Sequence, residues 1–580
     1  MNTAKERIQL LRRWMKERNA TACIVPQANP HLGEYVEPHW QLRAWWSGFT
    51  GSRGTLVVTA GEAALWTDSR YFLQAAEQLR GTGIEMMRDG LDASWREWLA
   101  LRVADGGRVA TDARLFSCAD WQELARVLPM ADDASFEALW VDRPPLEPSS
   151  AFVLPLRLTG VEAAEKLHCL REELGLWGGR RFLLSALDEI GWLLNLRGGD
   201  LPTSPLLRSF LLVDGDGGEL FVDARSLDDR VLSYLEALHI KACAYDSFPA
   251  RVQSFERGGL MADRRYTPAA VALWTELTQV KDPIPMWKAQ KNSAELAALH
   301  QGMLQDGVVW VKFLRWFSES RRRGGYLRES DVVAQLRRLK SERPGYWGES
   351  FETIAAAGDH GAVVHYAVTE STDRVIGGKG LLLIDTGTQY EGATTDMTRT
   401  IACGPLTDEE KRDCTLVMRS HVALATAVFP QGMAGSALDG MARRPLWASG
   451  LDYGHGTGHG VGAMLNVHED PVRVSWVSAC PFKEGMVTSD EPGLYREGRH
   501  GVRLENMLAV VRDRQTEFGC FLKFNVLTLC PFDPSILMPE LLTPEERDWL
   551  NGYHRRVKAA LKPLLTPEEY DWLNNYAYEI

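Results

Sequence analysis

LLLIDTGTQYEGATTDMTRT, residues 381–400, joins two β-prone runs through a glycine-bearing link with an aspartate at each end. The apolar run Leu381–Ile384 ends in Asp385, and Asp396 opens the stretch DMTRTIA. Gly387 and Gly392 permit a turn between them, so the two runs are expected to be antiparallel neighbours with both carboxylates at one end. Two aspartates beside a turn are, by themselves, ordinary turn chemistry. Three motifs nearer the C-terminus give them another meaning.

GHGTGHG (454–460) carries His455 and His459, SDEPG carries Glu491, and RLEN carries Glu505. Asp385, Asp396, His459, Glu491 and Glu505 together are four carboxylates and one imidazole, a donor set suited to two hard or borderline divalent cations around one water. The alternating glycines resemble a phosphate loop only superficially, since no strand–glycine–helix pattern surrounds them. They fit better where backbone passes close to a ligand or another strand. No HExxH motif is present, which excludes a zincin. Glu491 is expected at a strand end, stopped by Pro492 and Gly493. Arg503 and Glu505 are expected two apart on one strand, sharing a face, with the arginine keeping that carboxylate ionised.

The chain has 580 residues, too many for one core, so several domains are expected. A net charge of −12 argues against nucleic acid or an anionic membrane as partner. Nine cysteines without short paired spacings read as reduced thiols. MNTAKERIQLLRRWMKERN predicts a charged amphipathic helix and not a signal peptide, and no 18-residue apolar run suggests a membrane span. A cytoplasmic protein is expected.

Proline-rich VDRPPLEPSSAFVLP (141–155) and VKDPIPMWKAQ (280–290) suggest boundaries, giving expected domains at 1–148, 149–288 and 289–580. In the first two, helical patterns alternate with short apolar strands such as ACIVP and SFLLVDG, so each reads as α/β. The third opens on a long amphipathic helix after Asn292, with Leu296, Leu299, Met303, Val309, Phe313 and Trp316 at helical steps and Ser293 as its expected cap. Near the C-terminus LTPEERDWLNGY recurs as LTPEEYDWLNNY, which predicts two well-capped helices.

The order of the five donors resembles the pita-bread metallopeptidases, and most closely the three-domain aminopeptidase P (Xaa-Pro aminopeptidase) family. The motifs that carry this resemblance are IDTGTQYEGATTDMTRT, HGTGHGVGAMLNVHEDP and SDEPGLYREGRHGVRLEN. SGFTGSRGTLVVT, LWTDSRYFLQAAEQL, DEIGWLLNLRG and KNSAELAAL extend it over nearly the whole chain. It implies two creatinase-like α/β domains followed by a catalytic α+β pita-bread domain. It also implies a homodimer that acts on peptides beginning Xaa-Pro through a hydroxide bridging two divalent metals. Mn²⁺ is the implied ion, with Zn²⁺ or Co²⁺ as alternatives.

Carried onto this sequence, the resemblance makes Asp385 a ligand of one metal, His459 and Glu491 ligands of the other, and Asp396 and Glu505 bridges between them. It assigns His365 to the tetrahedral intermediate, His455 and His468 to the substrate backbone, Arg503 to support of the ligands, and Glu491 also to proton transfer. Two positions depart from the family pattern: His360, where Asn is usual, and Ala393, where Gly-Thr-Thr is more usual. Neither is an implied ligand. Prolidase is the nearest rival, and a metal-free scaffold the rival of another class. The three-domain layout speaks against the first, and the complete donor set against the second.

Overall fold

Ala22–Pro26 and Arg181–Leu184, two short and largely apolar stretches, each occupy an inner position of a six-stranded sheet. In the computed structural model, which describes residues 3–103, 106–256 and 258–580, the first sheet runs Glu85–Arg88, Ala63–Thr67, Thr55–Thr59, Ala22–Pro26, Val109–Thr111, Met130–Asp132. The second runs Ile240–Ala244, Gly218–Val222, Ser209–Asp214, Arg181–Leu184, Leu260–Ala262, Leu277–Gln279. Read across, both give the same series of pairings: parallel, antiparallel, antiparallel, parallel, parallel. Two α/β domains of one topology therefore make up the N-terminal half.

The N-terminal helix Ala4–Glu17 buries Ile8, Leu11, Trp14 and Met15 and is closed by a capping box between Thr3 and Glu6. Each fully buried side chain of this kind contributes about 1.5–3 kcal/mol. The chain up to Leu156 and Val161–Ile284 form one compact unit, while Arg157–Gly160 associates with Pro285–Ile580 in a second. The switch at Ile284–Pro285 falls inside the second proline-rich stretch. All nine cysteines are free, and among the described residues no helix is long and apolar enough to cross a membrane.

The second unit begins with the helix Ser293–Arg322, which buries Leu299, Met303, Val309 and Phe313 as its spacing predicts. Its cap is Asn292 and not Ser293. The Asn292 side chain accepts from the amides of Ala294 and Glu295, and Glu295 returns a bond to the Asn292 amide. An amide-bearing side chain one residue earlier reaches two orphan donors, which leaves Ser293 as the first helical residue. The echoed C-terminal segments are the helices Pro544–Leu561 and Pro567–Tyr576, each with a Thr cap, Pro in the first turn and a Glu closing the box.

An antiparallel six-stranded sheet of this unit runs Val428–Pro430, Gly519–Val526, Asn506–Thr516, Val487–Asp490, Gly458–Gly460, Glu469–Val474. A three-stranded sheet joins Ile354–Ala357, Leu381–Thr386 and Met397–Ala402, and the strands Gly493–Arg496 and His500–Arg503 form a hairpin. The expected single strand through Arg503 and Glu505 is not formed. The chain leaves the hairpin after Arg503 and enters the large sheet at Asn506, so Leu504 and Glu505 lie in the break. A residue that passes between two sheets cannot hold the two-residue period of either.

Candidate metal centre and active site

Leu381–Thr386 pairs antiparallel with Met397–Ala402, with Asp385 opposite Thr398 and Asp396 the residue just before the ladder. The two aspartates thus meet at one end of the pair, as the glycines between them suggested. The link forms its own small ladder, Thr388–Tyr390 against Ala393–Thr394, and turns at Gly392 with φ of 79°. Asp306 on the long helix holds this link by accepting from the hydroxyls of Thr388 (3.0 Å), Tyr390 (2.7 Å) and Thr395. Buried Lys340 donates to Glu349 at 2.9 Å, to the Thr386 hydroxyl at 2.5 Å and to the Gly387 carbonyl at 2.8 Å, fixing the chain just beyond Asp385. Ala393 packs where Gly302 of the helix leaves room for its methyl group.

The alternating glycines of GHGTGHG let one strand lie tightly between two others. A Cβ on Gly458 would stand 2.0 Å from the Ser489 carbonyl oxygen, and one on Gly460 2.3 Å from that of Glu469. His459, between them, donates its amide to the Ser489 hydroxyl at 3.0 Å. Its Nε2 lies 3.4 Å from Asp396 Oδ2 and 3.3 Å from Glu491 Oε1. Donor atoms of Asp396, His459 and Glu505 all lie within 4.8 Å of one another. Val487–Asp490 pairs with Asn506–Thr516, and the ladder ends at Asp490 opposite Asn506. The next residue outward on each side is a carboxylate of the set, Glu491 and Glu505.

Arg503 closes the cluster, though not through the partner its spacing suggested. Its Nη2 donates to Asp385 Oδ2 at 2.7 Å, its Nε to the Thr398 hydroxyl at 3.2 Å, and its Nη1 to the Tyr495 hydroxyl at 2.9 Å. Glu505 instead accepts from the Thr398 hydroxyl at 2.7 Å. The strand break before Asn506 turns the two side chains apart, and Thr398 stands between them.

Four carboxylates here face a single permanent cation. Among the described residues, Asp385 Oδ1 and Glu505 Oε1 are buried without a hydrogen-bond partner, an expensive state for an anionic oxygen. Burial pushes the Glu505 carboxyl well above the usual range, with Asp396 and Glu491 adding to it. Burial also raises Asp385 to about 6, with Asp396 adding and Arg503 opposing. Burial works against charge on His459, but Asp396 and Glu491 outweigh it and hold the imidazole protonated well above its ordinary value. Glu491 shows the counterpart: burial is outweighed by the bond and charge of His459, which bring it down to about 2. Orphaned acceptors, excess negative charge and one imidazole aimed at two carboxylates fit a pair of divalent cations.

Asp385, Asp396, Glu505 and Arg503 are buried, whereas His365, His455, His459, His468 and Glu491 are partly exposed. The His468 ring stands edge-on to His459, centroids 4.3 Å apart. His455 has both ring nitrogens engaged within the protein, Nε2 with the Tyr495 hydroxyl at 2.8 Å and Nδ1 with the Gly456 carbonyl at 2.8 Å. His365 lies in a turn pinned on both sides. Arg503 Nη1 reaches the Val364 carbonyl at 3.3 Å, and the Tyr366 hydroxyl donates to Glu329 at 2.8 Å. His360, the departure from the family pattern, bonds the same Glu329 at 2.9 Å and stacks on Tyr366.

Residues that the sequence reading missed are Ser489, Thr398 and Tyr495. Ser489, which bonds Glu491 Oε1 at 3.2 Å, and Thr398 each lie two residues from a proposed ligand, so same-face spacing was an available signal. Tyr495 carried none, because it arrives from the separate hairpin.

Gly501 of that hairpin packs against the turn before His365: a Cβ there would stand 1.7 Å from the Gly361 carbonyl oxygen. Gly501→Ala is expected to cost about 1–3 kcal/mol through this clash and to lower turnover by shifting His365. An unchanged thermal midpoint and kcat would contradict that packing.

Residues 297–512 match the model of metallopeptidase family M24, and 520–580 the C-terminal region of peptidase M24. Residues 7–142 and 142–295 each match a creatinase/prolidase N-terminal domain. Fold and donor cluster thus define a metallopeptidase of the M24 class. The chain is 37% identical over 586 residues to the probable Xaa-Pro aminopeptidase P of Neurospora crassa, covering 95% of this chain and 85% of that protein. It is 36% identical over 611 residues to aminopeptidase P2 of Arabidopsis thaliana, covering 96% and 86%. It superposes with a TM-score of 0.95 and 31% identity, over 100% of both chains, on the X-prolyl aminopeptidase of Caenorhabditis elegans, described as a cytosolic enzyme with a di-nuclear active site. A prolidase from Thermococcus sibiricus shares the fold over 64% of this chain, with a TM-score of 0.51 and 22% identity. The chain belongs to the Xaa-Pro aminopeptidase P family.

Proposed function

We propose that this chain is a metal-dependent aminopeptidase that removes the N-terminal residue from peptides with proline in second position. One observation carries the reading: donor atoms of Asp396, His459 and Glu505 lie within 4.8 Å of one another, Glu491 stands 3.3 Å from His459, and among the described residues Asp385 Oδ1 and Glu505 Oε1 are buried without a hydrogen-bond partner. Membership of the family and the names of its relatives supply the substrate class.

In this reading Asp385 would hold one metal ion, His459 and Glu491 would hold the other, and Asp396 and Glu505 would be shared between them. Two such ions, when bound, supply Lewis acidity and an activated water nucleophile. Mn²⁺ is the proposed ion, because four of the five donors are hard carboxylates. A cytosolic setting is proposed from the description of the C. elegans relative.

Glu491 is assigned the proton transfer: its carboxylate takes the proton of the attacking water and delivers it to the leaving prolyl nitrogen. The low value of Glu491 belongs to the metal-free site, since its cause is the His459 proton. His365 is assigned to the oxygen of the scissile carbonyl as charge develops there. Pinning by Arg503 and Glu329 keeps its turn in place during the reaction. His468, beside His459, is assigned to the substrate backbone, and His455 joins it on exchanging its Tyr495 partner. The substrate's second residue has no amide proton and a restricted predecessor, so specificity rests on apolar contact with the ring and on these histidines.

His365→Ala is expected to lower kcat by about 10²–10³-fold, as loss of one oxyanion donor does, with KM little changed. A rise in KM at constant kcat would assign His365 to substrate binding instead. The substrate reading is tested by product mass after incubation with Mn²⁺ and either Arg-Pro-Pro-Gly-Phe or the dipeptide Ala-Pro. Release of the N-terminal arginine alone supports an Xaa-Pro aminopeptidase. Cleavage confined to the dipeptide would make it a prolidase, and cleavage of neither would favour a scaffold.

A further inference from the structure

His421 lies far in sequence from every residue assigned to the metal centre, on the helix Asp408–Ala425, and it is fully buried. Its Nδ1 lies 3.1 Å from the main-chain carbonyl of Asp490, and its Nε2 lies 3.0 Å from Asn506 Nδ2. The orientation of Asn506 is set independently. Arg399 Nη2, which can only donate, bonds Asn506 Oδ1 at 2.8 Å, so the amide nitrogen must point at His421. His421 Nε2 is therefore the acceptor, and Nδ1 carries the proton that the Asp490 carbonyl accepts. Burial keeps the imidazole neutral by pushing it down to about 3, with the Arg399 charge adding. The Asp490 carboxylate, 3.2 Å from Nδ1, makes no hydrogen bond among the described residues.

These two contacts fall at one place in the sheet. Asp490 and Asn506 are the final facing pair of their ladder, and the chains separate immediately beyond it into Glu491 and Glu505. The second branch is held further by Arg399, whose Nη1 bonds the Glu505 carbonyl, and by the Glu505 amide, which donates to the Thr398 carbonyl at 3.0 Å. The first is held by the Glu491 amide, which donates to the Thr457 carbonyl at 2.8 Å. His421 touches both branches: one imidazole spans the fork from a helix outside the sheet. A histidine placed merely to fill the core would need its ring contacts, edge-on to Phe532 at 5.4 Å and Trp549 at 5.7 Å, and phenylalanine would supply those equally.

We propose that His421 is a positioning residue, which fixes the separation of Glu491 and Glu505 by bridging the backbone of one branch to the side chain of the other. The inference rests on the proposed function, in which those two carboxylates bind metal. It differs from the ligand assignments in predicting that a side chain touching no ligand governs metal affinity.

The test is Mn²⁺ affinity of the full-length protein, read from the electron paramagnetic resonance signal of free Mn²⁺ during titration, for wild type, His421→Phe and His421→Gln. Loss of a side chain that hydrogen-bonds a metal ligand costs about 10–100-fold in affinity. His421→Phe, which acts one residue further out through Asp490 and Asn506, is expected to show a loss of about 10-fold, the lower end of that range, with kcat at saturating Mn²⁺ reduced and KM nearly unchanged. His421→Gln, whose amide offers one donor and one acceptor, is expected to recover most of the affinity. If the phenylalanine variant does not fold, His421→Met against His421→Gln makes the same comparison at similar volume. Equal Mn²⁺ affinity and kcat in the folded variants, with only a lowered thermal midpoint, would reduce His421 to a core residue and overturn the inference. Failure of the wild type to bind Mn²⁺, and equally Zn²⁺ or Co²⁺, would overturn the metal reading itself, and this inference with it.

Discussion

Glu491→Gln is expected to lower kcat by at least about 10³-fold while the protein stays folded. Two effects combine. Glutamine cannot take the proton of the attacking water, and a positioned acid–base group is worth about 10²–10⁴-fold. Glutamine also carries no charge, so of the four carboxylates proposed to balance two dications only three remain. Measuring bound metal separates the two effects. A variant that holds two ions yet does not turn over has lost proton transfer, and one that holds a single ion has lost a ligand. Near-normal kcat with full metal content would remove Glu491 from the chemistry. The Ser489 hydroxyl at 3.2 Å and His459 at 3.3 Å keep the carboxylate aimed, so an isosteric amide is not expected to rearrange the strand end.

Metal removal is expected to have an effect of comparable size, and its pH dependence has a definite sign. Without metal, Glu505 and Asp385 are raised above their unfolded values of 4.5 and 3.8, Asp385 to about 6, and His459 is raised above 6.5. All three bind more protons folded than unfolded, so the stability they contribute to the metal-free protein falls as pH rises. For the two acids the loss begins near their unfolded values and continues up to their folded ones. For His459 the contribution is complete below 6.5 and is lost as pH rises through its folded value. Glu491, lowered to about 2, acts in the opposite sense, but only where pH falls below 4.5.

Between about pH 5 and 8 the cluster's contribution to the stability of the metal-free protein should therefore fall steadily, while bound cations cancel the repulsion. The gap in thermal midpoint between metal-loaded and chelator-treated protein is expected to widen with pH. It should also be large, since a ligand at 100 times its Kd stabilises by about 2.7 kcal/mol. Metal uptake should release protons from His459 and Glu505. Calorimetry in buffers of different ionisation enthalpy measures that release. A gap that narrows with pH, or uptake without proton release, would contradict this electrostatic description.

Much of this was legible in the sequence for local reasons. The Asp385–Asp396 pair is written in an apolar run, two glycines and a β-prone run, all within 20 residues, and short-range patterning governs such a ladder. The glycines around His459 announce close backbone contact, and the sheet presses against both of them. The C-terminal caps follow from Thr-Pro-Glu-Glu alone. What escaped was nonlocal. Arg503 pairs with Asp385, 118 residues away, because the chain changes sheets between Arg503 and Asn506. No sequence period marks that change. His421 gave no signal, since a single histidine on an amphipathic helix reads as core, and its two partners lie 69 and 85 residues away. The shared topology of the N-terminal sheets was likewise visible only as a common style of alternating strands and helices, because strand order depends on crossovers.

Crystals grown with Mn²⁺ and measured at an X-ray energy where manganese scatters anomalously test the central claim most directly. Two peaks are expected within the cluster, one against Asp385, the other against His459 and Glu491, with Asp396 and Glu505 reaching both. A single peak, or two peaks elsewhere in an active protein, would contradict the dinuclear site.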